Sequence, residues 1–244
     1  MRDSEDAYGH LMYDYFRGRH GAEIVEREDG FFDVSTSLPG YYMSDYSTWK
    51  VSEKLGLRYV RGRVIDVGCG AGRISLFLQQ KGLDVLAVDV SPLAVRVCKL
   101  RGVRKVMVIS ATGITSVLGV FDTIVMFGNN FGLFGNPQRA KWLLKRFHNM
   151  TSEKARIIAE SFDPYKTTDS VHRQYHAINR RKGRLRGQLK IRVRYRKYVT
   201  PWFQYLIVSK SEMRKILKGT GWTLRRTFET KSGSYVAIIE KTKV

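Results

Sequence analysis

Cysteine and long apolar runs are scarce in this chain of 244 residues. Only two cysteines occur, Cys69 and Cys98, and they form neither a C-x-x-C pair nor a zinc-ligand set. This excludes a disulfide-stapled fold and a zinc ribbon, and we expect both to be reduced thiols of an intracellular, cytoplasmic protein. No stretch approaches the roughly 20 apolar residues of a membrane span. The acidic start, residues 1–6, is unlike a secretory signal, so we expect no membrane partner.

Acidic residues are also few, at 22 against 43 Lys and Arg, which gives a net charge of +21. The imbalance is local. Residues 1–60 carry 7 basic and 11 acidic side chains, whereas residues 171–200 carry 11 basic ones and no acid. Hydrophobic residues make up 43% of the chain, which is ample for a packed core and excludes a disordered or fibrous protein. We expect a basic protein with one structural domain.

Apolar periodicity predicts alternating strands and helices through the middle of the chain. Strands are predicted at 63–67, 84–90, 105–109, 121–127 and 155–160, and helices at 74–80, 92–101 and 137–150. Nearly continuous apolar strands that alternate with helices indicate a parallel sheet covered on both faces. Outside this stretch the patterns predict a helix over 5–17, a strand pair around the turn 28–30, a helix near 47–58, a helix over 211–220, and strands over 222–228 and 234–240.

A glycine-rich turn follows the first of these strands. Asp66 precedes the pattern Gly68-x-Gly70-x-Gly72, and the next strand ends in Asp89. Glycines let a ligand approach the backbone closely, and an acid at the end of the second strand is placed to accept hydrogen bonds from both ribose hydroxyls of an adenosine ligand. Dinucleotide oxidoreductases use G-x-G-x-x-G instead, whose third glycine would fall at Arg73. A nicotinamide oxidoreductase is therefore only the third candidate.

This pattern resembles the first motif of the class I S-adenosylmethionine-dependent methyltransferases, and residues 86–91 resemble their second. The chain is similar to an archaeal and bacterial subgroup of that family, over residues 61–161 and 209–242. The resemblance implies a doubly wound α/β sheet of seven strands, in the order 3-2-1-4-5-7-6, with strand 7 antiparallel. It also suggests an N-terminal cap (1–60), a methyltransferase core (61–161 and 209–244) and a β-rich basic insert on the substrate side (162–208).

The resemblance also implies S-adenosyl-L-methionine as the cofactor and S-adenosyl-L-homocysteine as the product. We expect no metal, because the candidate ligands His148, Asp169, His172 and His176 lack a supporting motif. Asp66 would bind the methionine amino group, the three glycines would lie against the cofactor, and Asp89 would bind the ribose. Many members carry an acid after strand 3, where this chain has Ser110-Ala111-Thr112, so adenine recognition falls to these hydroxyls or to the backbone. The other predicted cofactor contacts are Cys69, Arg73, Val90, Ala111 and Gly128. Arg73 fits a surface position or the cofactor carboxylate equally well, and Cys69 fits packing better than chemistry.

Four residues are candidates for the catalytic side. Asn129 and Asn130 follow the fourth strand, where the family's fourth motif lines the reaction site, and their amides are able to hydrogen-bond an acceptor. No proline follows them, unlike the motif of enzymes that methylate nucleic-acid amino groups. Tyr165 and His176 lie in the insert, with a turn and a surface position as their alternative explanations. The sequence does not show whether a general base is needed.

The insert contains an alternating stretch over 189–195 that predicts a half-buried strand with a cationic face, followed by a second strand over 201–205. The resemblance places this insert over the acceptor, so Arg192 and Arg194 are predicted to bind substrate. Three interpretations stay open: an RNA-binding face, a site for a small anionic or protein acceptor, or a solvated charged face. The shortage of nearby acids disfavours an ion-pair network.

The sequence therefore predicts a methyltransferase whose acceptor is a small molecule, a protein side chain or RNA. The alternative is a non-catalytic nucleic-acid-binding protein that retains the methyltransferase fold. The acceptor atom and the oligomeric state are not determined by the sequence.

Overall fold

The computed structural model describes residues 1–242. Eight α-helices lie among them, together with six short 3₁₀ turns. The helices are α1 (Ala7–Phe16), α2 (Leu38–Tyr41), α3 (Val51–Leu57), α4 (Arg73–Gln80), α5 (Pro92–Leu100), α6 (Pro137–Asn149), α7 (Ser170–Arg181) and α8 (Lys210–Leu217). Across the described residues, no helix is both long enough and apolar enough to cross a bilayer.

Twelve strands lie in the same residues. They are β1 (Glu23–Arg27), β2 (Phe32–Ser35), β3 (Val64–Val67), β4 (Val85–Asp89), β5 (Val106–Val108), β6 (Phe121–Met126), β7 (Thr151–Phe162), β8 (Gln188–Tyr195), β9 (Tyr198–Val199), β10 (Phe203–Leu206), β11 (Trp222–Glu229) and β12 (Ser234–Lys241).

The larger sheet contains seven strands in the order β11-β12-β7-β6-β3-β4-β5. Neighbours β3 and β4, β4 and β5, and β6 and β7 are parallel, whereas β12 is antiparallel to both β7 and β11. Numbered along the core alone, this is the predicted order 3-2-1-4-5-7-6 with an antiparallel seventh strand, so the fold prediction is confirmed. All four residues of β3 are buried, which explains its nearly continuous apolar sequence.

A second, antiparallel sheet has the order β10-β8-β1-β2, with β9 paired to β8. Its strands come from the N-terminal cap and from the basic insert. β1 pairs with β8 so that Val25 lies opposite Val193. Ile191, Val193 and Tyr195 turn to the buried face, as the alternating pattern predicted. The sequence patterns did not predict that the cap and the insert share a sheet.

The insert is less purely β-structured than expected, because it also contains α7. Asp169 caps this helix by accepting a hydrogen bond from the backbone N–H of Val171 at 2.7 Å. The preceding strand β7 is 12 residues long and begins earlier than predicted. The helix was missed because its sequence is strongly polar, and only Tyr175 and Asn179 in it are buried.

The chain divides into two compact units. The first contains residues 1–49, 62–114 and 190–203, and the second contains residues 50–61, 115–189 and those from 204 onward. The glycine-rich turn belongs to the first unit. Asn129, Tyr165 and His176 belong to the second.

Candidate functional site

The glycine-rich turn of the first unit connects β3 to α4. Gly68, Gly70 and Gly72 all have positive φ, at 73°, 54° and 78°. Gly72 is also fixed by packing, because a Cβ atom there would lie 2.8 Å from Val103 Cγ2 and 2.9 Å from Cys98 Sγ. Any larger residue at Gly72 would therefore be strained in its backbone and crowded in its side chain.

Asp89 ends β4 and holds this turn in place. Its Oδ2 accepts the backbone N–H of Gly70 and its Oδ1 accepts that of Ser91, both at 2.9 Å. Burial raises the pKa of Asp89 above its usual value. Each carboxylate oxygen retains a second lone pair, so Asp89 is able to accept further hydrogen bonds from a ligand.

Asp66 lies on β3 and is 2% exposed. Its Oδ2 accepts a hydrogen bond from Ser75 Oγ at 2.6 Å. Burial raises the pKa of Asp66 to about 6, against the opposing effects of the Ser75 hydrogen bond and the positive charge of Arg73. A cationic ligand group beside it would lower this pKa again.

Arg73 begins α4 and is buried, with 7% exposure, which excludes the surface position considered from the sequence. Its Nη2 donates to the Tyr41 hydroxyl at 2.5 Å, and its guanidinium lies 4.1 Å from the Tyr41 ring and 4.7 Å from the Trp49 ring. Trp49 is itself 5% exposed and packs on Phe77 of α4. These aromatic residues form a packed layer over the start of α4.

The remaining residues predicted around this turn differ in exposure. Cys69 and Cys98 are buried, with 3.7 Å between their sulfur atoms, and this thiol contact and burial raise the pKa of Cys69. Val90 is 45% exposed. Ser110 and Thr112, on either side of Ala111, share a hydrogen bond of 3.0 Å between their hydroxyls.

The N-terminal helix packs beside the same turn. Asp6 caps α1 by accepting the Gly9 N–H and also accepts the Ser91 hydroxyl, both at 2.9 Å. Met12 packs with Ala71, and its Cε lies 3.4 Å from the position of a Cβ on Gly70. The cap therefore contributes directly to the surroundings of the glycine-rich turn.

One buried acid of the first unit was not identified from the sequence. Glu23 opens β1 with 2% exposure, and its Oε2 accepts the Tyr42 hydroxyl at 2.8 Å. A second hydrogen bond comes from Tyr8. Burial raises the pKa of Glu23 to about 7. No motif marks it, because its partners come from other elements.

In the second unit, a tight turn follows β6. Gly128 and Asn129 both adopt left-handed backbone conformations, with φ of 68° and 62°, which is unusual for asparagine. The Asn129 carbonyl accepts the Tyr205 hydroxyl at 2.7 Å. The Asn129 side-chain Oδ1 is buried and has no hydrogen-bond partner within residues 1–242. Unsatisfied groups and backbone strain of this kind cluster at functional sites.

Glu160 of β7 fixes that turn, and sequence reasoning missed it too. It is fully buried, and its Oε2 accepts the Gly128 N–H at 2.7 Å. Its Oε1 accepts from Lys50 Nζ at 3.0 Å and from Ser234 Oγ at 2.8 Å. The carboxylate is therefore satisfied by one cation and two neutral donors.

The other catalytic candidates occupy separate elements of this unit. Asn130 begins the 3₁₀ turn Asn130–Phe134. His176 is half-buried on α7. Tyr165 is 49% exposed and donates its hydroxyl to Glu212 at 2.9 Å, and its pKa is raised by burial and by this hydrogen bond.

An acidic side chain forms ion pairs with the arginines on the cationic face of β8. Glu26 of β1 accepts two hydrogen bonds from Arg192, at 2.7 and 2.8 Å, and one from Arg194 at 2.5 Å. These hydrogen bonds lower the pKa of Glu26 to about 2. The Arg192 guanidinium also lies 4.6 Å from the ring of Trp202, which is 38% exposed. The prediction that a lack of nearby acids disfavours ion pairs was wrong for this face. Its acidic partner, Glu26, lies 166 residues from Arg192 in the chain.

No group of three or more His, Cys, Asp or Glu side chains is arranged to hold a metal ion within the described part of the chain.

Residues 64–154 match the methyltransferase domain family. This range contains the glycine-rich turn and Asp89, and the seven-stranded sheet has the strand order that the resemblance implied. The matched segment therefore includes the glycine-rich turn and most of the parallel part of the sheet.

Two solved structures are similar to this chain in fold. A methyltransferase from Bacteroides fragilis, solved with S-adenosyl-L-homocysteine, has a TM-score of 0.85 and 22% identity, covering 100% of this chain and 98% of that one. The Burkholderia thailandensis 1,6-didemethyltoxoflavin N1-methyltransferase has a TM-score of 0.54 and 15% identity, covering 100% and 92%.

A curated human relative, a lysine N-methyltransferase named for a component of ATP synthase, is 31% identical over 116 residues. The match covers 47% of this chain and 49% of the human protein, so the chain spans about half the length of that relative.

Proposed function

We propose that this chain transfers the methyl group of S-adenosyl-L-methionine to an amine nitrogen. The observation that carries the cofactor part is the glycine-rich turn after β3, tied at Gly70 to Asp89 at the end of β4. Positive φ at the three glycines gives the turn a backbone conformation that other residues rarely adopt, and the half-buried Asp89 retains acceptor capacity for two ribose hydroxyls.

The charged side chains of the turn fit the methionine part of this cofactor. Asp66, whose pKa burial raises to about 6, gains a cationic partner when it binds the amino group. Arg73, held between the Tyr41 and Trp49 rings, suits the carboxylate. When bound, the sulfonium group supplies an electrophilic methyl carbon. The chain's own residues then have to align the acceptor and exclude water, and alignment of this kind accounts for about 7–11 kcal/mol of a barrier.

Asn129 and Asn130 support an amine as the acceptor. Neutral carboxamides orient an N–H group by hydrogen bonding without adding charge. The unsatisfied Oδ1 of Asn129 and its strained backbone are the features expected of such a contact. Two relatives, the lysine N-methyltransferase and the toxoflavin-precursor N1-methyltransferase, are named for nitrogen methylation.

The test follows a labelled methyl group. Purified protein and labelled S-adenosyl-L-methionine are incubated with undermethylated cell extract, which is then separated into protein, small-molecule and RNA fractions. We expect label on amine nitrogens of the protein or small-molecule fraction, and protection of the protein by S-adenosyl-L-homocysteine but not by NAD in a melting experiment. Label on oxygen or sulfur would overturn the amine assignment.

Two other outcomes distinguish the remaining interpretations. Label in RNA that is lost in both Arg192→Ala and Arg194→Ala would make the β8 face an RNA clamp. RNA binding without cofactor binding or transfer would favour the non-catalytic alternative. In that case the affinity for an RNA strand with about 6 phosphate contacts should fall steeply with salt, with a log–log slope near −4.

A further inference from the structure

Among the residues that the structure describes, Glu23 is a buried acid without a cationic partner. It is 2% exposed, and its two hydrogen bonds come from the Tyr42 and Tyr8 hydroxyls. Throughout residues 1–242, no Lys, Arg or His forms an ion pair with it. Burying an ionised carboxylate with only neutral donors is costly, and groups in this condition concentrate at functional sites.

The tyrosines that hold Glu23 also contact the cofactor side of the first unit. Tyr8 and Tyr42 pack against a cluster that contains Met12 and Ala71 of the glycine-rich turn. Their rings meet edge to face, with centroids 6.5 Å apart. The neighbouring Tyr41 accepts the hydrogen bond from Arg73 at the start of α4. One layer of aromatic side chains thus connects Glu23 to the turn proposed to hold the methionine part of the cofactor.

The electrostatic surroundings of Glu23 favour proton exchange near neutral pH. Burial raises its pKa to about 7, the hydroxyls of Tyr42 and Tyr8 lower it in part, and the negative charge of Asp33 on β2 raises it slightly. Tyr42 lies just after α2, Tyr8 lies on α1, and Tyr195 ends β8, the other strand paired with β1. A carboxylate in this range is matched to a general base at physiological pH.

We propose that Glu23 takes the proton that the amine acceptor gives up when it is methylated. This inference rests on the proposed function. In the reaction the nitrogen lone pair forms the new N–CH₃ bond, the S–CH₃ bond breaks, and its electron pair stays on sulfur, which becomes a neutral thioether. The N–H proton passes to the Glu23 carboxylate and from there to water.

The competing explanation is a purely structural role for Glu23. In that role its hydrogen bonds to Tyr8 and Tyr42 hold α1 and the segment after α2 against β1. That role requires the hydrogen bonds but does not require the Glu23 carboxyl to gain or lose a proton. Glu23→Gln separates the two, because glutamine keeps the size and the hydrogen-bonding oxygen and removes the exchangeable proton. Glu229→Gln is the matched control, since Glu229 is 53% exposed and pairs with Lys210 at the surface.

The first measurement needs no acceptor. Infrared difference spectra of the full chain with S-adenosyl-L-homocysteine are recorded between pH 5 and pH 9, together with the cofactor-product affinity by calorimetry. We expect a protonated-carboxyl carbonyl band that disappears with a midpoint near pH 7 and is absent in Glu23→Gln. The affinity of this variant for S-adenosyl-L-homocysteine should stay within about twofold of wild type. A band that persists to pH 9, or no such band, would overturn the base assignment.

The second measurement uses the labelled-methyl assay with the protein and small-molecule fractions as the probe. We expect Glu23→Gln to lower the initial rate about 100-fold or more and to remove the rise in rate around pH 7, while Glu229→Gln matches wild type. Equal rates and pH profiles for Glu23→Gln and wild type would overturn the proposal. If wild type itself binds no S-adenosyl-L-homocysteine, the proposed function fails, and the infrared titration reports separately on Glu23.

Discussion

The two units of this molecule each bury a glutamate, and the two are satisfied in different ways. Glu160 is fully buried and receives Lys50, a backbone N–H and a hydroxyl. Glu23 is almost as buried, but within the described part of the chain its carboxylate receives hydrogen bonds from tyrosine hydroxyls and none from a cation. The cation compensates the charge of Glu160, whereas Glu23 has no such compensation and its pKa rises to about 7. Burial alone therefore does not decide the chemistry of an acid; the charge of its partners does.

The largest effect that tests this contrast is expected from Glu160→Ala. It would leave the Lys50 ammonium, the Gly128 N–H and the Ser234 hydroxyl without their shared acceptor. Because a buried donor left unsatisfied costs about 1–3 kcal/mol, we expect a total loss of about 3–5 kcal/mol. Urea denaturation at pH 7 measures the free energy of unfolding. The control, Glu229→Ala, removes an exposed pair and should cost less than about 1 kcal/mol. Equal losses in the two variants would contradict a structural role for Glu160.

The next largest effect is the pH dependence of Glu23→Gln. Because the pKa of Glu23 is raised from about 4.5 to about 7 by folding, the folded state holds the proton more tightly than the unfolded state. Glu23 therefore does not lower the free energy of unfolding below pH 4.5. As the pH rises from 4.5 to 7, the free energy of unfolding falls by up to about 3 kcal/mol because of this group. Glutamine removes this loss, so the variant should gain stability relative to wild type between pH 5 and pH 8, as measured by urea denaturation.

Asp66 also has a raised pKa, but it is present in both wild type and Glu23→Gln. Its contribution therefore cancels when the free energies of unfolding of these two proteins are subtracted. A difference between Glu23→Gln and wild type that stays constant with pH would show that Glu23 is ionised throughout, like a cation-paired acid.

Lys50→Met should convert the Glu160 environment toward that of Glu23. The carboxylate would keep only two neutral donors, and because Lys50 is 43% exposed we expect a loss of about 2 kcal/mol at pH 7 rather than the full value for a buried pair. Lys210→Met is the control. If both lysine variants lose the same stability at pH 7, the Lys50 contact does not matter for Glu160.

Tyr42→Phe gives the smallest expected effect. It removes one of the two hydrogen bonds that lower the pKa of Glu23, so this pKa should rise further, and the variant should lose about 1 kcal/mol at pH 8. The loss should be smaller at pH 5, where the carboxyl is already neutral. The infrared midpoint of Glu23 should move upward in the same variant. A downward shift would mean that Tyr42 does not donate to the carboxylate.

The fold and the glycine-rich turn could be predicted from the sequence. The hairpin around residues 28–30 and the glycine-rich turn follow from local patterns of apolar residues and glycines, whereas the sheet order came from the family resemblance. Glu23 and Glu160 were missed, since nothing adjacent in the chain distinguishes them from surface glutamates. Glu26 shows the same limit: its pairing with Arg192 changed a face expected to be fully cationic into a partly neutralised one.

The strand and helix alternation, the glycine-rich turn and the acid at the end of β4 could be predicted, because these features depend on residues within a few positions of one another. Which acids are buried and what they contact depends instead on how distant segments pack together. The pairing of β1 with β8 brings residues more than 160 positions apart into register. Desolvation and hydrogen bonding, which set the state of Glu23, act through space and leave no periodic signal along the chain.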